Sequence, residues 1–162
     1  MTPPLASDRP EVRDVQDEVL YREAFTIAGN DFEHGGEAAT RVKAILRQLG
    51  LPTEAIRRLS IANFEAEMNV VMYASEGRLE LEVFPRSVRV TVSDRGPGIP
   101  DIEWAMQEGH STATAAMRAR GFGAGLGLPN IKRNSDEFSI SSTVGVGTTL
   151  RYVVVVNGSQ ET

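Results

Sequence analysis

At 162 residues, with 41% hydrophobic and 24% charged positions, the chain has the size and make-up of one globular domain with its own core. A net charge of −5 argues against a nucleic-acid partner, whose phosphates want a basic surface, and the lack of cysteine excludes disulfides, thiolate metal sites and cysteine nucleophiles. No apolar run approaches the roughly 20 residues of a membrane span and no basic-then-apolar leader is evident, so no membrane partner and no signal peptide are expected, and the cytoplasm is the default location.

Residues 1–20 carry Pro3, Pro4 and Pro10 among many charges, the make-up of a mobile arm. A short strand is expected around Glu23–Ala28. Ala38, Val42, Ile45, Leu46 and Leu49 then recur at helical spacing, with Gly50 as a stop. Thr53 is placed to cap a second helix running to about Ala74, with Gly77 just beyond its end. The period then changes. Leu79, Leu81 and Val83, and after them Val88, Val90 and Val92, alternate with polar residues, which predicts two half-buried strands joined near Pro85-Arg86-Ser87. A glycine-rich loop, a short helix near Ile102–Gln107 and a long helix opening at Gly127–Asn134 follow. Glu137–Ser142 and Thr148–Val156 predict two last strands, separated by Gly145 and Gly147, and residues 158–162 form a tail. This order argues for an α+β two-layer sandwich over residues 21–157, a mixed or antiparallel sheet with helices on one face. It has no βαβ repetition, so a doubly wound dinucleotide fold is not expected.

Three segments can carry chemistry. Glu65 and Asn69, four apart on the second helix, share a face and can point into one cleft. A carboxylate can take a proton from a hydroxyl or water, and an amide oxygen suits magnesium. The plainer alternative is that Glu65, Glu67 and Asn69 only solvate an exposed helix face. Asp94-Arg95-Gly96-Pro97-Gly98 is good turn chemistry in its own right. It also ends a strand with a carboxylate able to accept a hydrogen bond from an amine such as adenine's, beside glycines that admit a base. Gly121, Gly123, Gly125 and Gly127 alternate just before a helix, a density that is costly in regular structure and suits anion binding. No Gly-Lys-Ser/Thr follows, so this is not a Walker A loop. Between the clusters, residues 99–120 fit a lid or a plain surface loop, and Arg118 and Arg120 could reach a phosphate. His34 and His110 are assigned no catalytic role. Trp104 and Phe122 are expected to pack rather than stack on a ligand.

Together these residues resemble the motifs of the GHKL ATPases, the superfamily of gyrase, Hsp90, histidine kinases and MutL. Glu65-x-x-x-Asn69 is similar to the N box, Asp94–Gly98 to the first glycine box, Gly123-Ala124-Gly125-Leu126-Gly127-Leu128 to the second, and Gly147-Thr148 to the final strand motif. The resemblance spans roughly Ala38 to Val156. Within the superfamily, Asp94–Ile102 and Gly123–Phe138 most resemble the small bacterial serine/threonine kinases related to anti-sigma factors, above all the stressosome switch kinases. The resemblance implies ATP and magnesium as cofactors, Glu65 as general base, Asn69 as magnesium ligand and Asp94 as adenine acceptor supported by Thr148. It places Gly96, Gly98, Gly123, Gly125, Leu126 and Gly127 around the nucleotide. The substrate it implies is a small STAS-like anti-sigma-factor antagonist, with a sigma factor as a further partner and a homodimer as a possible assembly. The alternatives are a nucleotide-switched anti-sigma factor without turnover and a simple ATPase.

Overall fold

The computed structural model describes residues 18–107 and 127–156. In chain order they form β1 (Tyr21–Ala28), a 3-10 turn (Phe32–His34), α1 (Glu37–Gln48), α2 (Thr53–Tyr73), β2 (Glu76–Val83), β3 (Ser87–Arg95), α3 (Ile102–Ala105), α4 (Gly127–Arg133), β4 (Glu137–Thr143) and β5 (Gly147–Val155). The five strands make one sheet in the order β1-β2-β3-β5-β4, and every neighbouring pair is antiparallel. The expected α+β two-layer architecture is the observed one.

Alternation along the strands builds the core. Phe25 and Ile27 of β1, Leu79 and Leu81 of β2, Val88, Val90 and Val92 of β3, and Leu150, Tyr152 and Val154 of β5 are buried on one face. Helices cover that face with Val42 and Leu46 of α1, Leu59, Ala62, Ala66 and Val70 of α2, and Ile131 of α4. The opposite face is polar. There Glu82 accepts from Arg22 at 2.9 Å and from Arg89 at 3.0 Å, and the Arg89 guanidinium lies over Phe84, 5.1 Å from the ring centre. None of the described helices is long and apolar enough to cross a membrane.

The sequence expectations hold for the elements and fail at some of their ends. Thr53 does not cap α2 through its side chain; it is the first helical residue. Pro52 occupies the cap with φ −62° and ψ 145°, and its carbonyl accepts from the Ile56 amide at 3.0 Å. The proline ring presets the φ of the entry, and no side chain caps the helix. Gly77 is not a helix stop but the second residue of β2. A Cβ there would lie 2.8 and 2.9 Å from the Val70 methyls, so the glycine lets α2 settle onto the sheet. Leu49 takes the C-cap of α1 and is exposed rather than core. The described part of the expected helix spans Gly127–Arg133. Trp104, expected to pack, is 40% exposed, because α3 is a four-residue helix with no buried face.

Candidate functional site

Register places Asp94 in the middle of a row across the sheet. Ile27 pairs with Gly77, Gly77 with Asp94, and Ser142 with Thr148. Asp94 faces Thr148 one step beyond the Ser93–Thr149 pair. Because Asp94 follows Val88, Val90 and Val92 at period two, its carboxylate falls on the helix-covered face. The Thr148 amide donates to Asp94 Oδ1 at 3.2 Å. Burial pushes the Asp94 carboxyl above the ordinary aspartate range, and the Thr148 amide only partly offsets this.

The loop after Asp94 is stitched to the β4–β5 hairpin. The Gly96 amide donates to the Val146 carbonyl at 3.1 Å, and the Gly145 amide to the Pro97 carbonyl at 2.8 Å. Gly98 has φ +79°, and a Cβ on it would meet the Thr143 carbonyl oxygen at 2.5 Å. A Cβ on Gly147 would meet the Asp94 carbonyl oxygen at 2.0 Å. Both glycines are thus required by the close approach of loop and hairpin. Gly96 faces the other way: a Cβ there would lie 3.1 Å from Ala74 Cα at the end of α2 and 3.2 Å from Asp94 Oδ1.

Ser142 is a residue that sequence reasoning missed. Its hydroxyl accepts from the Ile99 amide at 2.7 Å and lies 2.9 Å from the Thr148 hydroxyl. One side chain on β4 therefore holds both the glycine loop and Thr148. The available signal was parity, since Ser142 continues the inward set Phe138 and Ile140.

The second part of the site lies further back along α2. Asn69 and Ala74 are separated by about 7.5 Å of helix axis. Glu65 and Asn69 are half-buried rather than solvating an exposed face, and Glu67 is buried outright. A Cβ on Gly127, where α4 begins, would lie 3.4 Å from Glu65 Oε1 and 3.4 Å from Asn69 Oδ1. Gly127 thus brings backbone close to both oxygen atoms, at a distance where an added Cβ would make ordinary van der Waals contact with each. Asn130, also missed in the sequence, donates from Nδ2 to Glu65 Oε2 at 3.3 Å and accepts from Arg133 at 2.6 Å. It lies three residues beyond Gly127 on the same helix face.

The structure therefore brings Glu65, Asn69 and Gly127 together, and joins Asp94, Gly96, Gly98 and Thr148 around the strand end. Gly123, Gly125 and Leu126, with His110, Arg118, Arg120 and Phe122, lie outside the described residues. His34, given no catalytic role, ends the 3-10 turn with Nδ1 2.9 Å from Asp31 Oδ1. That hydrogen bond and the carboxylate charge raise its pKa.

A glycine-braced carboxylate at a strand end, an acid–amide pair on the covering helix and a glycine opening the next helix coincide with a known domain. The model of the histidine kinase-like ATPase domain matches residues 29–154. The chain belongs to this family, in its branch of small serine/threonine protein kinases of the anti-sigma type. It is 34% identical over 113 residues to the serine/threonine-protein kinase RsbT of Bacillus subtilis, covering 67% of this chain and 79% of the relative. It is 30% identical over 135 residues to the anti-sigma F factor of Pasteuria penetrans, covering 79% and 87%. Among solved structures, the SiaB–SiaC complex from Pseudomonas aeruginosa superposes with a TM-score of 0.55 at 16% identity, over 89% of this chain and 94% of that one. The blue-light activated histidine kinase EL346 of Erythrobacter litoralis gives 0.51 at 17% identity, over 79% of this chain and 43% of that one. These two likenesses show that the histidine kinase-like ATPase fold is shared.

Proposed function

We propose that this kinase-family chain transfers the γ-phosphoryl group of ATP, with magnesium, to a serine or threonine of a small STAS-like regulatory partner. The observation that supports this reading is the convergence of Glu65 Oε1 and Asn69 Oδ1 on Gly127, each 3.4 Å from where its Cβ would lie. A carboxylate and an amide oxygen on one face of α2 meet the backbone of Gly127 there. Asn69 is the residue suited to a hard cation. Among the described residues no group of three or more His, Asp or Glu could hold a metal alone, so magnesium would draw its other ligands from phosphate oxygens and water. When bound, magnesium supplies charge neutralisation on the phosphates.

The remaining roles belong to the chain. Asp94, half-buried and bonded to the Thr148 amide, accepts from the adenine amine. Thr148 and Ser142 hold Asp94 and the glycine loop in register. Gly96 and Gly98 keep the loop backbone close, and Gly123, Gly125, Leu126 and Gly127 wrap the phosphates. Glu65 accepts the proton of the attacking hydroxyl as its oxygen bonds the γ-phosphorus, while the bond from that phosphorus to the bridging oxygen breaks and ADP leaves with that oxygen and its electron pair. The catalytic domain is taken to span residues 21–157, in a cytoplasmic protein able to form a homodimer. Of the arm expected at residues 1–20, residues 1–17 lie outside the described residues, as does the tail expected at residues 158–162.

A second reading is sequestration of a sigma factor without turnover. The observation favouring it is the 30% identity to an anti-sigma F factor. Incubation with Mg-ATP and candidate STAS proteins, followed by intact-mass spectrometry of each partner, tests the first against the second. A gain of one phosphate is expected, lost in Glu65→Gln while ATP still binds. Unphosphorylated partners together with tight sigma binding would replace the first reading with the second, and transfer by Glu65→Gln would remove Glu65 as the base.

A further inference from the structure

The buried polar and charged side chains among the described residues are Asn63, with 0% exposure, and Glu67, with 3%, and both lie on α2. Four apart, they share one face of that helix. Glu65 and Asn69 each stand two positions further on, about 200° around the axis. Asn63 and Glu67 bond to two different elements. The Tyr152 hydroxyl, fully buried on β5, donates to Asn63 Oδ1 at 2.7 Å. Glu67 Oε2 accepts from the Gly36 and Ala38 amides at 3.0 and 3.2 Å, and Oε1 from the Ala39 amide at 2.9 Å. These are the cap and first-turn amides of α1, otherwise without intrahelical partners.

Packing alone gives no reason for these residues. Buried polar groups cost free energy even when partly paired, and Asn63 Nδ2 has no partner at all. An apolar side chain at either position would also leave buried donors unpaired, the Tyr152 hydroxyl in one case and the first amides of α1 in the other. What polar contacts add is direction. Burial of apolar surface is non-directional, and α2 meets the core partly through the small residues Ala62 and Ala66. Slipping the helix by one residue turns it about 100° and breaks both anchors.

We infer that Asn63 and Glu67, with Tyr152 and the first amides of α1 as their partners, are positioning residues that set the rotation of α2, so that Glu65 and Asn69 face Gly127. The inference rests on the function proposed above for Glu65 and Asn69, through which the anchors act. It also separates the two ends of the site. Asp94, Thr148 and Ser142 are held by strand register and the loop–hairpin bonds, and α2 meets that end at its C-cap, where Ala74 lies against Gly96. Loosening α2 at Asn63 and Glu67 therefore harms the magnesium–phosphate end more than the adenine end.

The test is calorimetric titration of ADP, with and without Mg2+, into the unaltered chain, Glu67→Gln and Tyr152→Phe, well below each melting temperature. Glu67→Gln turns an acceptor into a donor facing amide donors, and Tyr152→Phe deletes one hydroxyl. Metal-free ADP affinity is expected to stay within about twofold, while the gain from Mg2+ shrinks about fivefold, on the scale of one hydrogen bond. An unchanged Mg2+ gain in both variants, or an equal loss of metal-free affinity, overturns the inference. If Glu67→Gln does not fold, Tyr152→Phe decides alone. If the unaltered chain binds no nucleotide, the proposed function fails instead. The anchors are then judged by nucleotide-free crystal structures of the variants: loss of the Asn130–Glu65 contact supports them, and an unmoved contact overturns them.

Discussion

Asp94 is held by opposing forces. Burial raises its pKa above the reference 3.8 and the Thr148 amide lowers it. A raised carboxyl pKa means that the folded chain binds the proton more readily than the unfolded one. The associated stability is full below about pH 3.8 and is lost as pH rises through the folded value, leaving a cost at neutral pH. Asp94→Asn removes that cost and keeps an oxygen for Thr148. Its melting temperature at pH 7 is expected to equal or exceed that of the unaltered chain, with the difference closing towards acid pH. The thermal shift given by Mg-ATP, about 2.7 kcal/mol at 100 times Kd in the unaltered chain, should vanish. Differential scanning fluorimetry across pH reads both effects. Glycines with similar backbone angles divide by surroundings. Gly50 has φ +79° with nothing within 4 Å of a Cβ, whereas Gly98 has φ +79° and the Thr143 carbonyl oxygen at 2.5 Å. Gly50→Ala should cost ~1 kcal/mol and Gly98→Ala about 2–4 kcal/mol in urea unfolding.

At the scale of elements, α2 lies on the sheet because β2 offers it a glycine. Gly77→Ala places a methyl against Val70 and 3.0 Å from the Ser93 carbonyl oxygen. The expected loss is about 1–3 kcal/mol. Val70→Ala empties the space that the new methyl needs, so the double variant should lose less than the two single losses added together. A double-mutant cycle by urea unfolding checks this coupling; strict additivity would mean that α2 and β2 adjust independently. Strands and helices were legible because their periods are written in neighbouring residues. The hairpin around Pro85 and the pattern of Val88, Val90 and Val92 needed no partner to be read. The helix cap at Pro52 and the place of Gly77 inside a strand were not legible. Thr53 and Pro52 both suit a helix start, and a glycine after a helix serves equally as a stop or as a strand residue facing a close neighbour.

Across the whole molecule, the helices cover one face of the sheet and charge pairing keeps the other in water. Burial pushes the Glu82 carboxyl up, but the hydrogen bonds and charges of Arg89 and Arg22 together outweigh it and hold the pKa below the reference 4.5. A lowered pKa contributes stability above about pH 4.5 that is lost as pH falls through the folded value. Glu82→Gln is therefore expected to unfold at lower urea than the unaltered chain at pH 7, with the gap closing as the solution is acidified below that range. A gap independent of pH would assign the effect to packing instead. The sequence by itself determined the sandwich, the strand faces and the three motif segments, because alternation, helical period and glycine-rich boxes are local properties. Only the tertiary structure decided which acid of α2 meets which partner. The spacing to Asn69 singled out Glu65 in the sequence, but nothing there said what Glu67 binds. The amides of α1 take Glu67, and Glu65 is left to meet Gly127. Ser142 and Asn130 were hidden for the same reason: their roles come from strand register and helix packing, which join residues 43 and 65 positions apart in the chain.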